Sequence, residues 1–326
     1  MLPEFELLMP RTLPEALEML AQRAPDVMPI AGGTNVIPDL RGGRYRPACL
    51  VDVAGLPELR GIRQEDGSLV IGGGVTITEV LESPLVGQFA PVLQEAAKML
   101  ASPLVRNRAT VAGNLANASP AADMAPPLLV LDAEVELANR EGVRQVPLKD
   151  FFVYVRQTVR QPHELITAIR FPMPPPGCRA RFFKVALRKA DAIAVVNGAV
   201  RVDWECGVGG REYGVGGREY GVGGREYGVG SREYGVGSRE YGVGGGGLCR
   251  AARIVLGAVA PTPIRAWEAE RALKGQYLTP EVIAQAARLA AEATCTIDDI
   301  RGSAAYRQLV TEVMVRRALE GVGSRE

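Results

Sequence analysis

Two stretches hold the residue types best suited to chemistry. In "IAGGTNVIPDL" a glycine pair, Gly32 and Gly33, is followed by a hydroxyl, Thr34, and an amide, Asn35. Glycines let the main chain approach a bulky anion, and successive N–H groups can form a nest for phosphate oxygens. A glycine pair also makes an ordinary turn, and this one lacks the G-x-G-x-x-G spacing of a Rossmann loop and the lysine of a P-loop. In the second stretch, "ATVAGNLANASPAADMAPPLLVLDAEVEL", small residues and side-chain donors alternate, among them Thr110, Gly113, Asn114, Asn117 and Ser119. Its composition predicts a segment too irregular to be a helix, running through Pro120 and Asp123 into an apolar stretch. It reads either as a buried loop whose amides satisfy its own backbone, or as the second wall of a groove. In the groove, Asp123 would be available to a ribose or ring hydroxyl.

Other chemistries find little support. The five cysteines, Cys49, Cys178, Cys206, Cys249 and Cys295, are odd in number and show no C-x-x-C or comparable ligand spacing. That pattern predicts free thiols rather than zinc or an iron–sulfur cluster. The single histidine, His163, follows Pro162 in an expected turn and has no nucleophile signature beside it. No catalytic residue is assigned within this chain.

The elements that must position these loops are legible as pattern. "RTLPEALEMLAQRAP" predicts an amphipathic helix: Thr12 caps it, Pro14 suits its first turn, and Leu13, Ala16, Leu17 and Leu20 share a face. A short strand leads into the first glycine loop. "CLVDV" and "SLVIGGGV" predict strands, with turns at "EDG" and at Gly72 to Gly74. "PVLQEAAKML" reads as a helix, "AEVELAN" as an alternating strand, and "ELITAIRFPMPPPG" as a strand with a proline-rich exit. The prolines from Pro172 to Pro176 mark the expected boundary between a domain at 1–175 and one at 176–326. In the second, "RARFFKVAL", "IAVVNGAVRVDWE" and "LCRAARIVLGAV" predict strands. Helices follow around "PIRAWEAERAL", "TPEVIAQAARLAAEA" and "SAAYRQLVTEVMVRRALE", so the domain is expected to be α+β.

Between two of those strands stand five tandem copies of a seven-residue unit, "GVGGREY" or "GVGSREY", over residues 207–241, and a partial copy, "GVGSRE", ends the chain. Glycine in this density loses too much entropy on ordering to be held by Val and Tyr alone. The unit also disfavours helix and regular strand. We therefore expect residues 207–246 to be an insertion at a hairpin tip, where added length costs little; an interaction arm using the periodic Tyr and Arg is the alternative.

Charge narrows the class further. Lys plus Arg number 38 against 37 Asp plus Glu, so no strong field draws nucleic acid or anionic lipid. No apolar run reaches the roughly 18 residues a membrane span needs. The N-terminus lacks the basic-then-apolar order of a signal peptide, and a cytoplasmic location is expected.

The two loops in this order resemble the flavin-binding medium subunit of the molybdenum hydroxylases, the xanthine dehydrogenase and carbon monoxide dehydrogenase family. The resemblance extends to "FELLMPRTLPEALEML", "KVALRKADAIAVVNGAVRV", "ARIVLGAVAPTPIRA" and "IRGSAAYRQLVTEVMVRRALE". It implies an α+β architecture: a two-part FAD-binding domain of the vanillyl-alcohol-oxidase (PCMH) type, then a C-terminal α+β domain with a sheet and helices. Carried over by position, Ala31, Gly32, Gly33, Thr34, Asn35 and Val36 would wrap the FAD pyrophosphate. Thr110, Gly113, Asn114 and Asn117 would line the other side, with Asp123 near the ribityl or sugar hydroxyls. Leu100 and Ile193 would touch the flavin ring or its edge. Two positions depart from the family pattern: Asn35, where many relatives have Asp or another polar residue, and Ala112, where a second glycine is common.

The resemblance also implies partners. A large subunit would hold the molybdenum cofactor and a small one the [2Fe-2S] clusters, most simply as a dimer of heterotrimers. Electrons would pass from the clusters through FAD to an acceptor such as NAD or a quinone. Two alternatives stay open on sequence: a self-contained flavin oxidase of the vanillyl-alcohol-oxidase type, and a non-catalytic scaffold subunit. The scattered cysteines give no insertion of the kind that carries an extra cluster in the 4-hydroxybenzoyl-CoA reductase branch.

Overall fold

The computed structural model describes residues 2–205 and 247–323. The repeat at 207–246 lies outside the described residues, as does Cys206.

The chain opens with β1 (Glu6–Leu8), α1 (Leu13–Arg23), β2 (Val27–Ile30), α2 (Val36–Arg41) and β3 (Cys49–Asp52). The strands form a parallel sheet in the order β1–β3–β2. The Thr12 hydroxyl accepts from the Glu15 N–H at 3.3 Å, and α1 buries Ala16, Leu17 and Leu20 as its periodicity predicts. Those residues pack with Val27, Cys49 and Val51 in a small core of their own.

A second unit begins with the hairpin β4 (Ile62–Glu65) and β5 (Ser68–Gly72). Asp66 and Gly67 both take positive φ between them, the two-residue turn that matches strand twist. Six short helices follow: α3 (Ile77–Glu82), α4 (Pro84–Phe89), α5 (Pro91–Met99), α6 (Pro103–Arg106), α7 (Val111–Ala116) and α8 (Ala125–Val130). Then come β6 (Glu134–Asn139), β7 (Gly142–Pro147), the small pair β8 (Phe152–Tyr154) and β9 (Gln157–Thr158), and β10 (Leu165–Pro172). The main sheet has the order β4–β5–β10–β6–β7 and is antiparallel throughout.

One expectation is overturned here. The segment after Thr110 is not wholly irregular, because Val111–Ala116 is a helical turn and a half. Its polar and small residues have modest helix propensity. Thr110 caps it, however, and Val111, Ala112 and Leu115 are buried, so tertiary packing supplies what propensity lacks.

Beyond the prolines, β11 (Arg179–Ala186), β12 (Ala194–Trp204), β13 (Cys249–Gly257) and β14 (Ile264–Arg265) form an antiparallel sheet in sequence order. The helices α9 (Trp267–Leu273), α10 (Pro280–Glu292) and α11 (Ala304–Gly323) share a core with Val196, Val200, Ile254 and Leu256 of this sheet. Phe182, Ala199 and Val255 face the other way, into the core built around α5 and α8. With both faces covered, β12 is buried over all but its last residue, which explains its near-continuous apolar sequence.

The strands flanking the repeat are neighbours. Trp204 pairs with Cys249, and the Glu205 N–H donates to the Leu248 carbonyl at 2.8 Å. At the chain's end the partial repeat copy departs from what its glycines predict: Gly321, Val322 and Gly323 form the last turn of α11, and Val322 is buried. Packing of one valine and the long preceding helix outweigh the local cost of two glycines.

Candidate flavin site

The first loop leaves β2 at Ala31 and turns through Gly33, whose φ of +70° is open to glycine at little cost. The Gly33 carbonyl accepts from the Ile37 N–H at 3.0 Å, which starts α2. Asn35 sits at the head of that helix with its side chain exposed and no capping hydrogen bond. Thr34 and Val36 are half-buried beside it.

The second loop meets the first through main chain. A Cβ on Gly32 would lie 1.8 Å from the Arg108 carbonyl oxygen, so only glycine permits this approach. The strand-like bridge between Thr76 and Thr110 and the bonds Ile77 N–H to Ala109 O (2.8 Å) and Val111 N–H to Val75 O (3.1 Å) fix the second loop from its other side. Thr110 Oγ1 accepts from the Gly113 N–H at 2.9 Å. Asn114 Oδ1 accepts from the Met124 N–H at 3.2 Å, which leaves its amide nitrogen as a donor. Asn117 Oδ1 accepts from Arg156 Nη1 at 3.0 Å, and the same Nη1 reaches Asp39 Oδ2 of α2 at 3.0 Å. Arg156 thus ties the end of α7 to α2.

Between the loops lies a cavity of about 90 Å³ whose lining includes Gly32 and Thr110. A larger hollow of about 490 Å³ lies against Arg265, Trp267 and Arg271 and holds none of the loop residues.

Asp123 is buried, and both carboxylate oxygens are engaged: Oδ2 by Lys184 Nζ at 2.6 Å and Oδ1 by Asn197 Nδ2 at 2.8 Å. Burial raises its pKa above the usual carboxylate range, and Lys184 and Asn197 oppose that rise. The sequence offers Asp123 as a free acceptor. In the fold any ligand hydroxyl would have to use lone pairs that these two residues leave over. Lys184 also donates to the Met99 carbonyl at 3.1 Å, next to Leu100. Leu100 is buried at the end of α5, and Ala101 after it takes a positive φ. Ile193 stands apart, 63% exposed at the turn between β11 and β12.

Three residues of this region carry no signal in the sequence. Lys184, Asn197 and Arg156 act through partners 61, 74 and 39 residues away, separations that no local pattern records. Asn197 is fully buried, and its Oδ1 has no partner among the described residues. That oxygen lies where a Cβ on Gly257 would fall. The neighbouring Ala258 N–H donates to Pro120 O at 2.7 Å, docking the second loop on the C-terminal sheet. Among the described residues no group of His, Cys, Asp and Glu could hold a metal ion, and no helix is long and apolar enough to cross a membrane.

A glycine-bounded pair of loops with hydroxyl and amide donors, docked on a second α+β unit, offers the kind of donor set that holds a phosphate-bearing ligand. Residues 3–174 match the FAD binding domain in molybdopterin dehydrogenase, and residues 239–322 match the CO dehydrogenase flavoprotein C-terminal domain. The carbon monoxide dehydrogenase medium chain of Afipia carboxidovorans is 31% identical over 97% of this chain and 96% of its own length. The alpha subunit of the 6-hydroxypseudooxynicotine dehydrogenase complex of Paenarthrobacter nicotinovorans is 32% identical over 97% and 94%. Among solved structures, carbon monoxide dehydrogenase from Hydrogenophaga pseudoflava superposes with a TM-score of 0.83 at 30% identity, covering 99% of this chain and 98% of that one. The chain belongs to the FAD-binding medium-subunit family of the molybdenum hydroxylases. It is accordingly a flavoprotein subunit of an oxidoreductase, and its family works as multi-subunit complexes.

Proposed function

We propose that this chain is the electron-transfer subunit between a [2Fe-2S] small subunit and an external acceptor such as NAD or a quinone. A molybdopterin-binding large subunit would oxidise the substrate, and two copies of each chain would assemble. Residues 1–175 would form the FAD domain and 176–326 the family's C-terminal domain, carrying the repeat as an insertion. Ala31 to Val36 would hold the pyrophosphate, with Thr110, Gly113, Asn114 and Asn117 opposite. Leu100 and Ile193 would border the ring. FAD, when bound, supplies reversible uptake and release of electrons. The chain's own residues then bind and orient: main-chain N–H groups and the Thr34 and Asn114 side chains donate, and Lys184, held by Asp123, places a cation near Leu100.

The observation that carries this reading is the contact of Gly32 with the Arg108 carbonyl, which sets the two donor-bearing loops face to face. The exposed apolar residues Leu187, Ile193 and Ile300 support assembly with partner chains.

The test is to purify the chain with its partner subunits and identify the flavin released on denaturation. FAD near one per chain is expected. Reduction of that flavin by substrate should require the partners. A folded, colourless chain, or substrate turnover by this chain alone at the rate of the complex, would overturn the proposal.

A further inference from the structure

Cations hold the corner between α5 and α6 from two sides. Arg106, the last residue of α6, brings Nη1 to the Leu100 carbonyl at 2.9 Å and the Ala101 carbonyl at 3.1 Å, with the Lys98 carbonyl further off at 3.4 Å. Lys184 Nζ takes the Met99 carbonyl, between them in the chain, at 3.1 Å. Four consecutive carbonyls at the end of one helix thus accept from side-chain cations. The last carbonyls of a helix lack partners within it and carry partial negative charge, so cations suit the position. A glycine just past the helix end, in the left-handed conformation, is the commoner way to finish one.

Here that position holds Ala101, at φ +42°. A side chain resists this region because its Cβ crowds the main chain, and such a residue persists only where its surroundings hold it. Arg106 is in place to do so. The Leu100 and Ala101 carbonyls belong to the two peptide units that flank the Ala101 Cα, so one guanidinium nitrogen restrains both of its dihedrals. We propose that Arg106 is a positioning residue for the flavin: by holding Ala101 left-handed, it sets the buried Leu100 against the ring. The proposal rests on the reading above that Leu100 borders the ring, and goes beyond it by naming the group that keeps Leu100 there. Arg106 acts through the main chain rather than on FAD itself.

The test uses the full-length chain in its complex, with and without flavin. Arg106→Met keeps the length of the stem and removes every donor. In the deflavinated protein, amide exchange at residues 99–102 should quicken about tenfold, the worth of a lost charge-assisted hydrogen bond. In the loaded protein, FAD release should quicken about tenfold as well, and the visible circular dichroism of the flavin should move towards that of free FAD. Glycine takes the left-handed conformation without a clamp. Adding Ala101→Gly to Arg106→Met should therefore restore most of the dichroism and slow FAD release again. A residue that only stabilised the fold would gain nothing from that glycine. Unchanged exchange at the corner in Arg106→Met would overturn the clamp. Faster exchange with unchanged dichroism and release, or no rescue by Ala101→Gly, would overturn its role towards the flavin. Failure of the unsubstituted complex to hold FAD would instead defeat the functional reading on which the proposal stands.

Discussion

Lys184 Nζ lies 2.6 Å from Asp123 Oδ2, and the pair joins β11 of the C-terminal sheet to the segment entering α8 of the N-terminal half. Both side chains are almost fully out of solvent, at 4% and 9% exposure. A buried carboxylate stripped of its cation is costly, so Lys184→Met should destabilise the fold by about 3 kcal/mol at neutral pH. The pH dependence has a definite sign. Burial raises the Asp123 pKa in the folded state, so the folded protein holds this proton more tightly, and stability falls as pH rises above the unfolded carboxylate value. Removing Lys184 extends that window upward. Urea unfolding at about pH 5 and about pH 8 should therefore show the larger loss at the higher pH, and Asp123→Asn in the same background should shrink it. Equal losses at both pH values would exclude this account.

Gly32→Ala tests whether the loops need to touch. Its Cβ would fall 1.8 Å from a backbone oxygen, and neither main chain can swing aside as a side chain could. The substitution should separate the loops, cost about 2 kcal/mol in overpacking, and abolish flavin retention through purification. The ratio of flavin to protein absorbance reads the second effect. Full occupancy would show that the loop contact is not part of the site.

The contrast between these residues marks what the sequence discloses. Thr12 with Pro14, and Asp66 with Gly67, advertise a helix start and a tight turn, because the physics of caps and positive φ is local. Gly32 and Gly33 are legible as a loop able to meet an anion, since absence of a side chain is itself the signal. Asp123, Lys184 and Asn197 are different. Nothing adjacent to Lys184 says that its ammonium will be buried, because its partner comes from another layer of the fold. The helix at Val111–Ala116 and the glycine-ended α11 are hidden for the same reason: burial of Leu115 and Val322 overrides local propensity.

Arg156 is a positioning residue for the second loop. Its single Nη1 serves both Asp39 and Asn117 at 3.0 Å, and its own N–H donates to Ala118 O at 2.8 Å. Arg156→Leu should leave the main-chain bond intact and free the Asn117 side chain. Global stability should drop by about 1 kcal/mol, the scale of partly exposed ion pairs. FAD dissociation should accelerate more than that figure implies, because α2 and α7 would no longer be clamped. Stopped-flow measurement of flavin release against melting temperature separates the two, and a release rate that merely tracks stability would reduce Arg156 to a structural tie.

A second pH effect resides in the C-terminal domain. Asp299 is held down to about 2 by its bonds to the Arg301 side chain, Arg301 N–H and Arg307. Arg307, fully buried, also donates to Val195 O at 2.6 Å and Ala258 O at 2.9 Å, bracing the corner on which Pro120 docks. Because the folded pKa lies below the unfolded one, this contribution is present above about pH 4 and is lost as pH falls towards 2. Solvent at the carboxylate edge limits it to about 1 kcal/mol. Asp299→Asn should remove that part of the acid sensitivity and lower stability at neutral pH. An unchanged acid limb in the variant would assign the sensitivity to other groups.

The heptapeptide repeat should be dispensable for flavin binding and for assembly. Its flanks are fixed: Trp204 pairs with Cys249, and Glu205 bonds to Leu248, so the strand ends on either side of it already stand within hydrogen-bonding distance. Excising residues 207–246 would join Cys206 to Gly247 and leave the short connection that antiparallel neighbours ordinarily use. Loop closure depends on length only through a logarithm, so stability should change by about 1 kcal/mol or less. Flavin content should be unaffected, because Asp123, Lys184 and the two loops are anchored by β11, the far end of β12 and the N-terminal half rather than by this strand end. Assembly with partner subunits should survive as well. Flavin content, melting temperature and complex size, measured on the deletion variant, decide it: loss of FAD or of assembly would make the periodic Tyr and Arg an interaction arm, and would refute their reading as an insertion the fold tolerates.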